Sequence, residues 1–233
     1  MANRKEYDDE LREINVLIHE MGKEVKKSID RIIHAFPERD AKLANEVMEH
    51  DGVIDKMETD IEERCINIVV KQAPLATDWR KIASYMRMIS DLERIADNSS
   101  DISIYIIKLS KQPEVEVPSE FHQLFLTMRE MVGNTIESFF TGNIDLAKDI
   151  HAQDDIVDKG FDTIVEKISA KIKENPENTD QYINYLMVAK YIERMADHSE
   201  NIASWVSFIV KGQLKMQYTD RYKKDSSEFQ FYE

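Results

Sequence analysis

The strongest constraint on this 233-residue chain is that it repeats itself at an offset of about 100 residues. Residues Ser90–Ile102 contain Glu93-Arg94-Ile95-Ala96-Asp97, and 100 positions on, Tyr191–Ile202 contain Glu193-Arg194-Met195-Ala196-Asp197. A second motif recurs at an offset of 103: His50-Asp51-Gly52-Val53-Ile54-Asp55-Lys56 returns as Gln153-Asp154-Asp155-Ile156-Val157-Asp158-Lys159. Leu43-Ala44 and Phe36 match Leu146-Ala147 and Phe139 at that same spacing. A duplication of this kind sets the architecture before any single motif is weighed, because each copy must be one structural unit.

The unit is helical. The chain has six glycines and five prolines, and between them apolar residues recur at helical spacing without strand-like alternation. Six helices follow. The first runs over Tyr7–Phe36, with Leu11, Ile14, Ile18, Met21, Val25, Ile29 and Ile32 on one stripe. The second starts at Asp40, a good N-cap, and runs to Lys71, with Leu43, Val47, Ile54, Ile61 and Ile68 on its stripe. The third starts at the capping pair Thr77-Asp78 and ends near Lys111; the fourth covers Glu120–Thr141 and stops at Gly142. The fifth spans Ile144–Glu174, and the sixth runs from Thr179-Asp180 to Gly212. Long helices joined by short turns lie antiparallel to their neighbours. The fold class is therefore all-α, with two pseudo-symmetric three-helix bundles over residues 1–112 and 119–212 and a polar tail with scattered aromatics over 213–233.

Charge narrows the function. With 45 acidic against 31 basic residues the net charge is −14, which argues against nucleic acid or an anionic membrane as partner. No apolar run approaches the roughly 18–20 residues of a membrane span, so no direct membrane insertion and a cytoplasmic location are expected. The single cysteine, Cys65, leaves no internal disulfide framework and no cysteine-based zinc site. Neither a nucleophile arrangement nor a glycine-rich phosphate loop is present, so the residues give no support to catalysis or to direct phosphate binding.

The acids are placed in register. Residues i and i+4 stack on one face of a helix, so Asp51/Asp55, Glu93/Asp97, Asp154/Asp158 and Glu193/Asp197 are four ridges of paired carboxylates. Asp51 and Asp97 are equidistant from Pro74, as are Asp55 and Glu93; the second set is equidistant from the Asn175–Pro176 bond. Each hairpin thus brings four carboxylates level, roughly 26–35 Å from its turn at ~1.5 Å rise per residue. On the third helix the apolar stripe (Tyr85, Met88, Leu92, Ala96, Ser99) lies roughly 100° from Glu93, which puts the acids at the edge of the core. Oxygen-only ligands of this density suit hard cations such as Mg, Ca or Mn, and also iron. Asp101 extends the first ridge, but its counterpart is Asn201. The bland alternative is a solvated charged face with Arg94 and Arg194 as surface ion-pair partners. His50 and His198 adjoin the motifs as surface residues rather than ligands.

The duplicated Asp-x3-Asp and Leu-Glu-Arg-Ile-Ala-Asp pattern resembles the PhoU family of phosphate-uptake regulators. Gln72-Ala73-Pro74 followed by Thr77-Asp78-Trp79-Arg80 is similar to that family's Gln-x-Pro-x-x-x-Asp-Leu-Arg turn, and Ile209-Val210-Lys211-Gly212 to its closing segment. The resemblance implies metal clusters held by Asp51, Asp55, Glu93, Asp97, Asp154, Asp158, Glu193 and Asp197, with iron or zinc foremost and manganese or magnesium as alternatives. It also implies a homodimer, and negative regulation of high-affinity phosphate uptake through the ATPase subunit of the phosphate ABC transporter and a phosphate-sensing histidine kinase. The second turn, Asn175–Asp180, departs from the family pattern by lacking the Gln and Arg of the first. Two rival readings are a carboxylate-bridged di-iron or ferritin-like enzyme and a metal-free helical scaffold. The enzyme needs Glu-x-x-His pairs, and none of the six histidines has a Glu three residues before it.

Overall fold

The computed structural model describes residues 4–72, 74 and 76–212; the tail over 213–233 lies outside the described residues. Among them are six α-helices and no strand: α1 Arg4–Glu38, α2 Ala41–Gln72, α3 Ala76–Ser110, α4 Glu120–Thr141, α5 Ile144–Glu174 and α6 Thr179–Lys211. A 3-10 turn over Pro176–Asn178 leads into α6. The helices α1, α2 and α3 pack on one another, as do α4, α5 and α6, and the halves join chiefly along α3 and α6, with a lesser contact between α1 and α4. The seven stripe residues of α1 are all buried, and the apolar side chains of all six helices merge into one core. Full burial contributes about 1.5–3 kcal/mol per large aliphatic side chain, so the stripe alone commits α1 to the bundle.

Helix ends follow from specific residues. Asp40 caps α2 as expected: its Oδ1 accepts from the amides of Lys42 at 2.9 Å and Leu43 at 3.0 Å. Asn143 caps α5 in the same way, and Gly142 ends α4 in the left-handed region at φ 66°. Three boundaries differ from the sequence reading, the first being α1, which opens at Arg4 rather than Tyr7. Pro37 lies inside the last turn of α1 rather than beyond it, and α3 opens at Ala76, one residue before Thr77-Asp78. The pair therefore sits within the first turn of α3, where Asp78 meets the positive end of the helix dipole.

The end of α1 is unusual. Arg39 adopts φ 49°, and the bonds Asp40 N–H to Ala35 O (2.9 Å) and Arg39 N–H to Phe36 O (3.3 Å) form a Schellman motif around it. A left-handed residue is normally glycine, and the repeat-matched position is indeed Gly142. The arginine is held by its side chain, whose Nη1 donates toward the carbonyls of Leu109 (3.5 Å), Gln112 (3.2 Å) and Pro113 (3.1 Å). Its guanidinium also lies over the Tyr185 ring, so one residue ties α1, the segment between the halves and α6 together.

Candidate functional site

The hairpin geometry brings the first four acids level. Oxygens of Asp51 and Asp55 on α2 and Asp97 on α3 all lie within 4.8 Å of one another. Glu93 sits one turn along, half-buried, and is pushed up to about 7 by burial and then by the neighbouring Asp97. Asp51 is pushed up to about 6, chiefly by burial, with Asp97, Asp55 and Asp101 adding to the rise and the nearby Ser100 hydroxyl opposing it. Carboxyls raised toward neutrality by burial and by one another are groups that a cation would stabilise as carboxylates.

The layer is larger than the four expected acids. Asp101 belongs to it: burial and Asp97 raise its carboxyl, and it hydrogen-bonds Tyr191 of α6. Glu58 also belongs, one turn beyond Asp55 on α2, raised by burial and by Glu62 and hydrogen-bonded by Ser90. The Glu58 and Glu62 positions continue the i, i+3, i+4 ridge of Asp51 and Asp55, a signal present in the sequence. Their matched positions, Phe161 and Val165, are apolar, so a search for repeated acids passes over them. Arg94 pairs with Glu93 at 3.4 Å and Asp97 at 3.3 Å, as the charged-face reading anticipates. Its side chain is 57% exposed, and an ion pair so open to water holds the layer weakly.

The second layer is built differently. Asp154 and Glu193 are buried, deeper than the edge position read from the stripe of the third helix, while Asp158 and Asp197 are half-buried. Lys190 Nζ lies 2.6 Å from Glu193 Oε2 and 5.5 Å from the centroid of the Phe161 ring, so this lysine meets both the glutamate and the ring. Asp197 is pushed up to about 6 by burial and then by Glu193. Among the described residues no three acids of this layer converge as Asp51, Asp55 and Asp97 do.

The histidines turn away from both layers. His50 meets Glu24 of α1 at 2.9 Å, His151 meets Glu200 at 2.7 Å, and His198 reaches across the halves to Asp91 at 2.9 Å. The donors facing each other within the layers are therefore carboxylates. Such a set fits hard, oxygen-seeking cations and iron better than zinc, which usually takes imidazole or thiolate.

One further concavity lies away from the acids. It is a cavity of about 340 Å³ between the 111–119 segment and the aromatic cluster of Phe36, Phe121, Phe125 and Tyr185. No helix of the described residues is long and apolar enough to cross a membrane.

Comparison with known proteins agrees with this geometry. A family model described as the PhoU domain matches residues 18–106 and 121–206, and each segment contains one four-acid layer. The phosphate-specific transport system accessory protein PhoU homolog of Pseudomonas aeruginosa is 29% identical over 211 residues, covering 89% of this chain and 86% of that protein. The homolog from Aquifex aeolicus is 31% identical over 185 residues, covering 79% and 84%. The crystal structure of PhoU from Pseudomonas aeruginosa superposes with a TM-score of 0.86 at 28% identity, covering 89% of this chain and 100% of that one. The phosphate transport system regulatory protein PhoU from Streptococcus pneumoniae gives 0.83 at 23% identity, covering 90% and 99%, a likeness of fold.

Proposed function

The chain belongs to the PhoU family, and from that membership we propose that it is an accessory protein of a phosphate-specific transport system. In this reading it restrains high-affinity phosphate uptake and phosphate-starvation signalling by docking on the transporter's ATPase subunit and on a sensor histidine kinase. It works in the cytoplasm as a homodimer, without catalysing a reaction, and carries metal ions in its carboxylate layers. The observation that carries the reading is that each family-matched segment holds a complete set of four acids, and that in the first segment three converge within 4.8 Å. A net charge of −14 favours docking on basic partner surfaces, where charge complementarity chiefly sets specificity and encounter rate.

Asp51, Asp55, Glu93 and Asp97 would hold metal in the first layer, with Asp101 and Glu58 beside them, and Asp154, Asp158, Glu193 and Asp197 in the second. A bound cation supplies the positive charge that lets crowded carboxylates remain ionised together. The chain supplies the rest: α2 and α3 set the height of the first four acids, α5 and α6 that of the second. The donor set favours iron, manganese or magnesium over zinc.

Two measurements test the proposal separately. Elemental analysis of the full chain purified without chelators should find metal, reduced in an Asp97→Asn/Asp197→Asn variant. Metal-free protein that also refuses added Fe, Mn, Mg and Zn would remove metal from the reading while leaving docking intact. Co-purification with the transporter ATPase and the kinase, at low and high phosphate, should retain both partners. Loss of neither partner's signal when this chain is omitted would refute docking.

A further inference from the structure

The two layers have diverged at two positions that face the same glutamate. Ser90 and Lys190 are matched at the offset of 100 that relates Glu93 to Glu193, and both sit one turn before that glutamate. Glu58 and Phe161 are matched at the offset of 103 that relates Asp55 to Asp158. In the first layer Ser90 hydrogen-bonds the extra acid Glu58. In the second, Lys190 lies 2.6 Å from Glu193, whose side chain is 5% exposed, and its ammonium faces the Phe161 ring at 5.5 Å. An aromatic face favours a cation where a carboxylate otherwise stood, so the two changes act together.

The charge difference is simple. Glu58 with Ser90 contributes −1, and Phe161 with Lys190 contributes +1, a difference of two unit charges. The arginine after each glutamate is common to both halves, although Arg94 pairs with Glu93 and Asp97 while Arg194 lies over Tyr191.

We propose that Lys190 is a built-in counter-cation that makes the layers inequivalent: the first binds metal more tightly, and the second binds metal only by displacing the Lys190 ammonium from Glu193. Lys190 touches a metal-holding residue and sets its occupancy, so it is a determinant of affinity rather than a ligand. The inference rests on the metal-binding part of the proposed function.

The test is titration of the chelator-stripped full chain with Mn²⁺, followed by calorimetry and by the loss of the free Mn²⁺ paramagnetic resonance signal. Wild type should show a strong and a weak class of site, and Asp97→Asn should remove the strong one. Lys190→Ser, which restores the first-half residue, should tighten the weak class by about tenfold or more and leave the strong class in place, since removing one unit charge a few ångströms away is worth at least that factor. The reciprocal Ser90→Lys should weaken the strong class. Circular dichroism melts identify any variant that has lost its fold, and the reciprocal pair guards against that outcome for either one. Two classes of site that Lys190→Ser leaves unchanged would overturn the inference while the metal reading stands. Wild type that binds none of Mn²⁺, Fe²⁺, Mg²⁺ and Zn²⁺ would overturn both.

Discussion

Arg39 offers the sharpest test of how the bundle is held together, because backbone strain and side-chain attachment oppose each other in one residue. Its φ of 49° lies where a non-glycine residue costs about 1 kcal/mol. Against that, Nη1 faces three carbonyls at 3.1–3.5 Å and has two hydrogens to give. Two charge-assisted bonds at about 1.5–3 kcal/mol each, reduced because the site is half-exposed, come to about 2–4 kcal/mol. Arg39→Ala keeps the strain and loses the attachment, so it should destabilise by about 2–4 kcal/mol. Arg39→Gly loses the attachment but relieves the strain, so it should recover about 1 kcal/mol of that loss. Urea unfolding of the three proteins, compared at unchanged slope, measures both numbers; in melting temperature each kcal/mol is about 2–4 °C for a chain of this size. The order wild type, then Gly, then Ala is required. An Arg39→Gly protein at or above wild-type stability would mean that the carbonyl contacts contribute no more than the roughly 1 kcal/mol that the strain costs, which refutes the attachment of about 2–4 kcal/mol.

Protons and metal should compete at the first layer. Glu93 is raised to about 7 and Asp51 to about 6, so Mn²⁺ affinity measured by calorimetry should fall as pH drops from 8 to 5.5, with protons released on binding. In the metal-free protein the same groups hold protons more tightly folded than unfolded. Their contribution to stability is therefore complete below the ordinary carboxylate range and is lost as pH rises through about 6–7. Relative to wild type, Glu93→Gln should thus gain stability at pH 8 more than at pH 5, read from thermal melts; an equal change at both would contradict the shift. Cys65 is fully buried and its thiol is pushed up to about 12 by burial, so a disulfide exchange reagent at pH 8 should label it only on unfolding. Removing the Asp40 cap with Asp40→Ala should cost about 1 kcal/mol in urea unfolding, without a change in Mn²⁺ binding.

The helices and the level of the acids were legible because both depend on periodicity, which a sequence displays directly. The α1 stripe from Leu11 to Ile32 could be read, and so could the equal distances of Asp51 and Asp97 from Pro74. Features that depend on what lies opposite were not legible. Glu58 joins the first layer because α3 brings Ser90 and Glu93 to it, yet along α2 it is one acid among many. Lys190 reads as a surface lysine until the fold puts Phe161 beneath it. Arg39 is marked as a left-handed residue only by its match to Gly142, and its stabilising contacts come from about 70 residues away, at Leu109 to Pro113.

Some of the divergence between the copies falls where duplication itself creates a conflict. The halves meet along α3 and α6, the helices that carry the Glu-x3-Asp motifs, so matched residues confront one another across the seam. Position 91 on α3 faces 198 and 201 on α6; by the same pseudo-symmetry, 191 faces 101. Had both copies kept the first-half residues, an aspartate at 91 and 191 would oppose an aspartate at 201 and 101, placing like charges together twice. The chain instead sets Asp91 against His198 (2.9 Å) and Asn201 (3.5 Å), and Asp101 against the hydroxyl of Tyr191, whose ring also packs against Tyr105. Each contact becomes acid with donor, and neither is acid with acid. The Asn201 that weakens Asp101 as a repeated metal residue is thus the residue that lets the seam close, because Asp91 needs a neutral donor opposite it. On the outer helices Asp51/Asp154 and Asp55/Asp158 met no such conflict and remain identical in both halves, whereas Glu58 and Glu62 are matched by Phe161 and Val165. The pattern of retained and altered acids is therefore set by two separate demands: a shared one for carboxylates in each layer, and an opposed one for complementary neighbours between the halves.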